Sequence, residues 1–116
     1  MSSEIIIVDE SVSLADLSNL AKRMYGKMIK GVVDIEKEKV AFGGEYHIEA
    51  NMKLIDQGSE QKDLWGFNIN LNEPKDSWIE YVSLINIRPA VRNRNMEVQD
   101  NNIRIRMKKI IDSKII

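Results

Sequence analysis

The 116-residue sequence contains no cysteine, and this absence excludes a disulfide scaffold, a thiolate zinc site and a cysteine nucleophile. Its single histidine, His47, also excludes a metal centre built on two histidines of one chain. No apolar run approaches the ~20 residues that span a bilayer. The segment from Met1 to Glu4 lacks the basic and then apolar order of a secretion signal. We therefore expect a cytoplasmic protein with no membrane association, no metal and no other cofactor.

The usual glycine-rich phosphate-binding motifs are also missing. The chain contains neither G-x-x-x-x-G-K-[ST] nor G-x-G-x-x-G, so nucleotide binding through such loops has no support. What is present is a balanced composition, 43% hydrophobic and 30% charged, which is typical of globular chains. The length fits one domain, residues 1–116.

The charges are unevenly distributed along the chain. Residues 1–87 carry 9 Lys+Arg and 15 Asp+Glu, whereas residues 88–116 carry 8 Lys+Arg and 3 Asp+Glu. Such a split indicates either a basic surface for an anionic partner or two halves that pair with each other. RNA binding by the basic segment is therefore one hypothesis, although that segment contains no aromatic residue for stacking. Its candidate residues are Arg88, Arg92, Arg94, Arg104 and Lys108.

The first half of the chain predicts the element order β-α-β-β. The β-branched run at 5–8 is typical of a buried strand, and Ser13 is a suitable N-cap for a helix that Gly26 ends. Apolar residues alternate with other residues at 29–35, which predicts a strand, and a second strand follows at 40–42. The next segment, 45–57, fits both periods. Ile48, Met52 and Ile55 form a helical stripe, the alternating residues fit a strand, and composition favours a helix.

The second half predicts a hairpin and a helix. We expect strands at 64–71 and 78–87, with Leu71 opposite Ile79 and therefore Trp65 opposite Ile85. Arg88-Pro89 is expected to end the second strand, and Asp100 to cap a final helix. The predicted fold is α+β, a single mainly antiparallel sheet with helices packed on it, in the order β-α-β-β-α-β-β-α.

Two polar clusters are candidates for function. His47 follows Gly43-Gly44 and lies between Glu45 and Glu49, which suggests an acid/base role, although a lone histidine is commonly a surface or core residue. Arg88 leads a cluster of arginines and asparagines, whose guanidinium and amide groups suit an anion or a planar ligand. The alternative is that Arg88 pairs with an acidic residue of the same chain.

Three sequence motifs carry a resemblance to a known family. They are Gly43-Gly44-Glu45-x-His47, Gly58-Ser59-x-Gln61-x-x-Leu64-Trp65-Gly66-x-Asn68 and Ile85-Asn86-Ile87-Arg88-Pro89-x-x-x-Asn93. In these the chain resembles a family of small prokaryotic proteins classed as conserved hypothetical proteins, a domain of unknown function. The resemblance spans the first helix to the last, implies a bacterial or archaeal cytoplasmic protein, and brings no activity or cofactor with it.

Together these features suggest a pocket for a small polar or anionic ligand, between the Gly-Gly-Glu-x-His loop and the Asn/Arg end of the hairpin. His47 and Glu45 would be an acid/base pair for a hydrolytic activity, and Arg88 the anion clamp. The other candidate ligand-binding residues are Ser59, Gln61, Asn68, Asn86, Arg92 and Asn93. The competing hypothesis is a structural or interaction protein, a homodimer among the options, in which the same polar residues form a buried hydrogen-bond network.

Overall fold

The structure is a computed structural model that describes residues 4–24 and 26–116. Met1 to Ser3, part of the terminus that lacks a secretion signal's pattern, lie outside these ranges, as does Tyr25. The described residues form a five-stranded antiparallel sheet of order β1-β3-β2-β4-β5 and three α-helices, which confirms the α+β prediction. The elements are β1 (Ile5–Val8), α1 (Leu14–Met24), β2 (Met28–Asp34), β3 (Lys39–Gly43), α2 (His47–Asp56), β4 (Leu64–Asn70), β5 (Ile79–Glu80) and α3 (Asn101–Lys114). None of these helices is long and apolar enough to cross a membrane.

The helices cover both faces of the sheet. Leu17 and Leu20 of α1 and Met107 of α3 join the larger apolar core, which packs against Phe42 and Phe67. The second core, on the opposite face, is smaller, and α2 covers it. Its buried members are Val32, Ala41, Ala50, Leu54 and Leu64. Successive side chains of a strand point to opposite faces of the sheet. β4 therefore contributes Phe67 to one core and Leu64 to the other.

Local capping interactions set the helix ends where the sequence predicted them. The Ser13 hydroxyl accepts a hydrogen bond from the amide of Asp16 at 3.1 Å, and the Asp100 carboxylate accepts one from Asn102 at 2.8 Å. Each bond satisfies an amide that the first turn of a helix leaves without a partner. Gly26, at φ +86°, follows α1 in the left-handed conformation that glycine adopts most readily.

The ambiguous segment 45–57 contains a helix, and the face it buries differs from the predicted stripe. His47, Ala50, Asn51 and Leu54 are buried, whereas Ile48 and Met52 are exposed on the outer side of α2. The stripe that predicted the helix period is therefore not the stripe that packs on the sheet. Ala50 and Leu54 instead join Val32, Ala41 and Leu64 in the second core.

The predicted hairpin is wrong in its register and in its length. Ile69 pairs with Ile79 and Asn68 with Glu80, a shift of two residues, and β5 ends at Glu80. Beyond it the chain leaves β4 and bonds to a later segment, through Val98 N to Tyr81 O (2.9 Å). Residues 84–86 form a 3-10 helix, and a second one, Pro89–Val91, begins at the proline that was expected to end a strand.

The Asn86 side chain takes the place of the missing strand. Its Oδ1 accepts from the Gly66 amide at 2.8 Å, and its Nδ2 donates to the Gly66 carbonyl at 3.0 Å. One carboxamide thus makes both bonds that a neighbouring residue of β5 would make in the predicted hairpin. This substitution of side chain for backbone explains why the strand stops early and why segment 82–86 lies over β4 rather than beside it.

Candidate functional site

A row of three paired residues crosses the sheet on the face that carries α2. Lys30 of β2, Asn68 of β4 and Glu80 of β5 occupy successive positions in this row. Gly43 and Gly44 both have positive φ, and they turn the chain from β3 into α2 directly above the row. The first residue of α2, His47, therefore lies against the middle of the row.

A cavity of about 420 Å³ opens beside His47, between α2 and the segment that follows β5. The first turn of α2 forms one wall, residues 82–85 with Met96 form the other, and two polar residues of the sheet form the floor. Its lining includes Lys30, Tyr46, His47, Ile48, Asn68 and Leu84. The cavity thus lies between the start of α2 and the Asn68 position, and most of its lining is apolar.

His47 is oriented by the main chain of β4. Its side chain is nine-tenths buried, and its Nε2 donates to the carbonyl of Phe67 at 2.8 Å, which leaves Nδ1 as the acceptor of a neutral ring. Burial lowers the pKa of His47, the Phe67 carbonyl opposes this shift, and the positive charge of Lys30 adds to it. The Asn68 carboxamide lies close enough to the ring to raise the same pKa, yet its buried Oδ1 makes no hydrogen bond of good geometry.

The other half of the proposed acid/base pair does not line this cavity. Glu45 is exposed in the loop before α2, and its amide donates to Oε1 of Glu49 at 2.8 Å. The same Glu49 oxygen accepts from the amide of Tyr46 at 2.9 Å, so this carboxylate caps the helix. A shared proton-transfer role for Glu45 and His47 stays a prediction.

Ser59 and Gln61 lie at the opposite end of α2 and hold loops together. The Ser59 hydroxyl donates to Oδ2 of Asp34 at 2.6 Å, and both residues are buried. Gln61 exchanges two amide hydrogen bonds with Asn51, at 2.7 and 2.8 Å. Neither residue lines the cavity beside His47.

Asn86 and Asn93 belong to one buried network. The Asn93 Nδ2 donates to the carbonyls of Asn86 (2.7 Å), Asn95 (3.0 Å) and Glu97 (2.9 Å), and its Oδ1 accepts from the amide of Gln99 (2.8 Å). Asn86 in turn holds Gly66 on both of its backbone groups. These contacts favour the structural interpretation for both asparagines, because their polar atoms are bonded to backbone that would otherwise be buried without partners.

Arg88 is likewise held by its own chain. Its Nε donates to the carbonyl of Ile85 (3.3 Å), Nη1 to that of Gln61 (2.9 Å), and Nη2 to that of Leu64. The guanidinium also lies over the ring of Trp65, 4.0 Å from its centroid, and burial lowers the pKa of Arg88. The expected acidic partner is thus replaced by main-chain carbonyls. Arg92, by contrast, is exposed, in a left-handed turn at φ 62°.

The basic C-terminal segment largely contacts its own chain as well. Arg104 stacks on Tyr81 at 4.9 Å, Arg106 donates to the carbonyl of Ile35 at 2.8 Å, and Lys108 pairs with Asp112 at 2.7 Å. These contacts favour self-complementary charge over a continuous basic surface for RNA. In the part of the chain that the structure describes, no three His, Asp or Glu side chains are grouped to hold a metal ion.

Sequence reasoning missed several residues of the cavity. Lys30 alternates with apolar residues of β2, a pattern that equally predicts a solvated lysine. The sequence predicts a strand at Leu84, and no local signal brings Leu84 and Met96 together. The one available signal was Ile48 in the apolar stripe that it forms with Met52, because an apolar stripe that does not pack on the sheet meets solvent or a ligand.

The comparisons with known proteins place the chain in a family. No curated protein and no solved structure is detectably similar to it. One family model, described as "Protein of unknown function (DUF5674)", matches residues 6–114, nearly the whole of the described domain. The chain therefore belongs to the DUF5674 family of proteins of unknown function.

Proposed function

We propose that this protein binds a small molecule in the cavity between the first turn of α2 and residues 82–85. The observation that supports it is the cavity itself, about 420 Å³, which lies within the size range of ligand sites. Its apolar walls and its few convergent polar groups, Lys30, His47 and Asn68, are the usual composition of such a site.

The exposed rim of the cavity supports the same function. Leu84 is 70% exposed, Tyr46 63% and Ile48 51%, and all three line the opening. Apolar side chains concentrated around one opening are characteristic of binding surfaces, whereas single exposed apolar residues elsewhere need no such explanation. We therefore expect the ligand to place an apolar body between Ile48 and Leu84.

This proposal keeps one part of the sequence-based hypothesis and revises another. His47 and Asn68 remain ligand-binding candidates because both line the cavity. Asn86, Arg88 and Asn93 are reassigned to the scaffold, since their polar atoms bond the backbone around Gly66 and Asn93. Hydrolysis is not part of the proposal, because Glu45, the other half of the acid/base pair, does not line the cavity.

The test is an amide chemical-shift screen of the 15N-labelled protein against a library of small fragments. We expect hits whose shifts are confined to the turn at 46–48, to Asn68 and to 82–85. Leu84→Ala should weaken a hit about fivefold, because the ligand loses roughly 1 kcal/mol of apolar contact. Ile105→Ala is the matched control, since Ile105 is 58% exposed on α3 and is not a lining residue. A library with no hit at these positions would contradict the proposal.

A protein partner is the second candidate for the same rim. The exposure of Tyr46, Ile48 and Leu84 would also suit a partner that buries them, a second copy of this chain included. Sedimentation over a wide range of concentration tests this directly. Self-association that Leu84→Asp abolishes and Ile105→Asp leaves intact would favour the homodimer, and a monomer at all concentrations would remove it.

A further inference from the structure

We propose that two copies of this chain pair through the outer edge of β1 and so join their sheets into one. This inference goes beyond the proposed function and does not rest on it. β1 is an edge strand, because within the sheet it pairs with β3 alone. It is the apolar run Ile5–Val8, which has none of the charges, prolines or bulges that commonly protect such an edge. The strand at the opposite edge, β5, is protected by being only two residues long.

The backbone groups of Ile5 and Ile7 point away from the sheet. The amide of Gly44 donates to the carbonyl of Glu4 at 3.1 Å, and this bond shows which residues of β1 are hydrogen-bonded to β3. Because backbone groups alternate in direction along a strand, those of residues 4, 6 and 8 bond β3 and those of residues 5 and 7 face outward. No residue that the structure describes donates to these outward groups or accepts from them.

These outward groups select one register for a second copy. The next outward carbonyl along the chain, that of Asp9, already accepts a hydrogen bond from Nζ of Lys114. An antiparallel copy that places Ile6 opposite its own Ile6 brings Ile5 of each chain opposite Ile7 of the other, and each such pair exchanges both of its backbone hydrogen bonds. A two-fold axis through the Ile6 pair therefore gives all the outward groups of β1 a partner.

The side chains beside this edge leave room for the second copy. A cavity of about 290 Å³ lies between β1 and α1, and Ile6 and Leu20 line it with apolar surface. Asp16, Asn19 and Arg23, on the side of α1 that lines the same cavity, are all exposed. Ile6 is only half-buried, so the Ile6 side chain of the second copy covers it and fills part of the cavity.

The charges on this side of α1 are complementary under the same two-fold axis. Asp16 and Arg23 are about two helical turns apart, and Asn19 lies midway between them and lines the same cavity as Ile6. The axis reverses the second α1, so Asp16 of each copy faces Arg23 of the other. Within its own chain Arg23 donates to Glu4 through Nε (3.1 Å) and Nη2 (2.9 Å), and its Nη1 is left for a second carboxylate.

Sedimentation equilibrium of the whole chain, from about 1 μM to about 1 mM, tests for this dimer. The interface is small, so we expect weak association, with a Kd on the order of 10–100 μM. Ile7→Pro removes the outward amide without removing a hydrogen bond within the chain, and it should raise the Kd at least about thirtyfold. Ile7→Ala is the matched control. It also loses the Ile7 side chain but keeps the amide, so its Kd should stay within about threefold of the wild-type value.

Charge reversal on α1 tests the two-fold arrangement with exposed residues, whose replacement leaves the fold intact. Asp16→Arg and Arg23→Asp should each raise the Kd about tenfold, because each places like charges opposite one another on both sides of the axis. The double variant restores opposite charges across the axis, so its Kd should return to within about threefold of the wild-type value. Circular dichroism confirms that every variant is folded before its association is compared.

The possible results are distinct. A dimer that Ile7→Pro disrupts, and that the double charge variant restores after each single reversal weakens it, supports the pairing of β1 edges. A monomer at all concentrations would overturn the inference. A dimer that Leu84→Asp abolishes and Ile7→Pro leaves intact lies at the rim of the cavity beside His47, and it would overturn the inference as well. Fragment binding at that cavity is measured separately, so failure of the dimer and failure of the proposed function are told apart.

Discussion

Replacement of Asn86 by alanine should reveal a structural role for this buried residue of the third motif. Asn86 is fully buried, and its side chain bonds the amide and the carbonyl of Gly66 and the carbonyl of Met96. Alanine fits the same backbone but leaves all three of these groups without their partner. The change therefore tests the bonds themselves rather than the packing around them.

The expected loss of stability follows from the number of backbone groups that lose their hydrogen-bond partner. A buried backbone group that loses its partner costs about 1–3 kcal/mol, and the two groups of Gly66 lie deepest. We expect Asn86→Ala to lower the free energy of unfolding by about 4 kcal/mol, out of the ~5–15 kcal/mol typical of a domain. For a chain of this length the melting temperature should fall by roughly 15 °C.

Urea denaturation followed by circular dichroism measures this change, with Asn72→Ala as the control. Asn72 is exposed in the turn after β4, and its replacement should alter the free energy of unfolding by no more than about 0.5 kcal/mol. Hydrogen exchange at the Gly66 amide gives a local check, because Asn86 is the group that protects it. An Asn86→Ala protein as stable as the control, with the Gly66 amide still protected, would refute the structural assignment.

Three further predictions concern neighbouring features of the same region. Gly66→Ala should destabilise the fold by about 1–3 kcal/mol in thermal unfolding, because a Cβ at this position would lie 2.5 Å from Cβ of Ser83. Arg88→Lys should lower the free energy of unfolding in urea by about 2 kcal/mol, through loss of carbonyl bonds and of the stack on Trp65, and leave fragment binding at the cavity unchanged. Loss of fragment binding at unchanged stability would restore the anion clamp. Burial lowers the pKa of His47 below 6.5, so the unfolded chain binds the proton first as the pH falls. Stability from this group is therefore complete above pH 6.5 and decreases as the pH falls towards the folded pKa, and the difference between the wild type and His47→Gln in urea at several pH values should show it.

Local signals in the sequence were sufficient for most of the secondary structure. Ser13 and Asp100 cap their helices through oxygens only two or three residues from the amides they bond, so the geometry is contained in the local sequence. Gly43 and Gly44 both adopt positive φ at the end of β3, a conformation that glycine adopts readily, so this chain turn is also set locally. These features place the start of α2 over the sheet, where His47 and Asn68 line the same cavity.

The hairpin shows where local signals were insufficient. The alternation of side chains continues past residue 80. A strand there would give the backbone amides and carbonyls their hydrogen bonds as well as the observed turn does, so the sequence pattern alone favours the longer strand. The choice is made by a side chain twenty residues away, since Asn86 bonds Gly66 and takes up the edge of β4. Arg88 illustrates the same point. A guanidinium can bind an anion or a set of main-chain carbonyls, and only the folded structure brings the carbonyls of Ile85 and Gln61 to it.

The sequence by itself determined the class of this protein: a single α+β domain without thiols or a second histidine, with its helices and most of its strands in the observed order. These properties depend on composition, periodicity and caps, which act over a few residues. Only the tertiary structure decided which polar residues are structural and where a ligand could bind. The cavity depends on Lys30, His47 and Leu84 meeting across three separate segments, and burial, which separates a hydrogen-bonded scaffold from an open site, is a property of the packed chain alone.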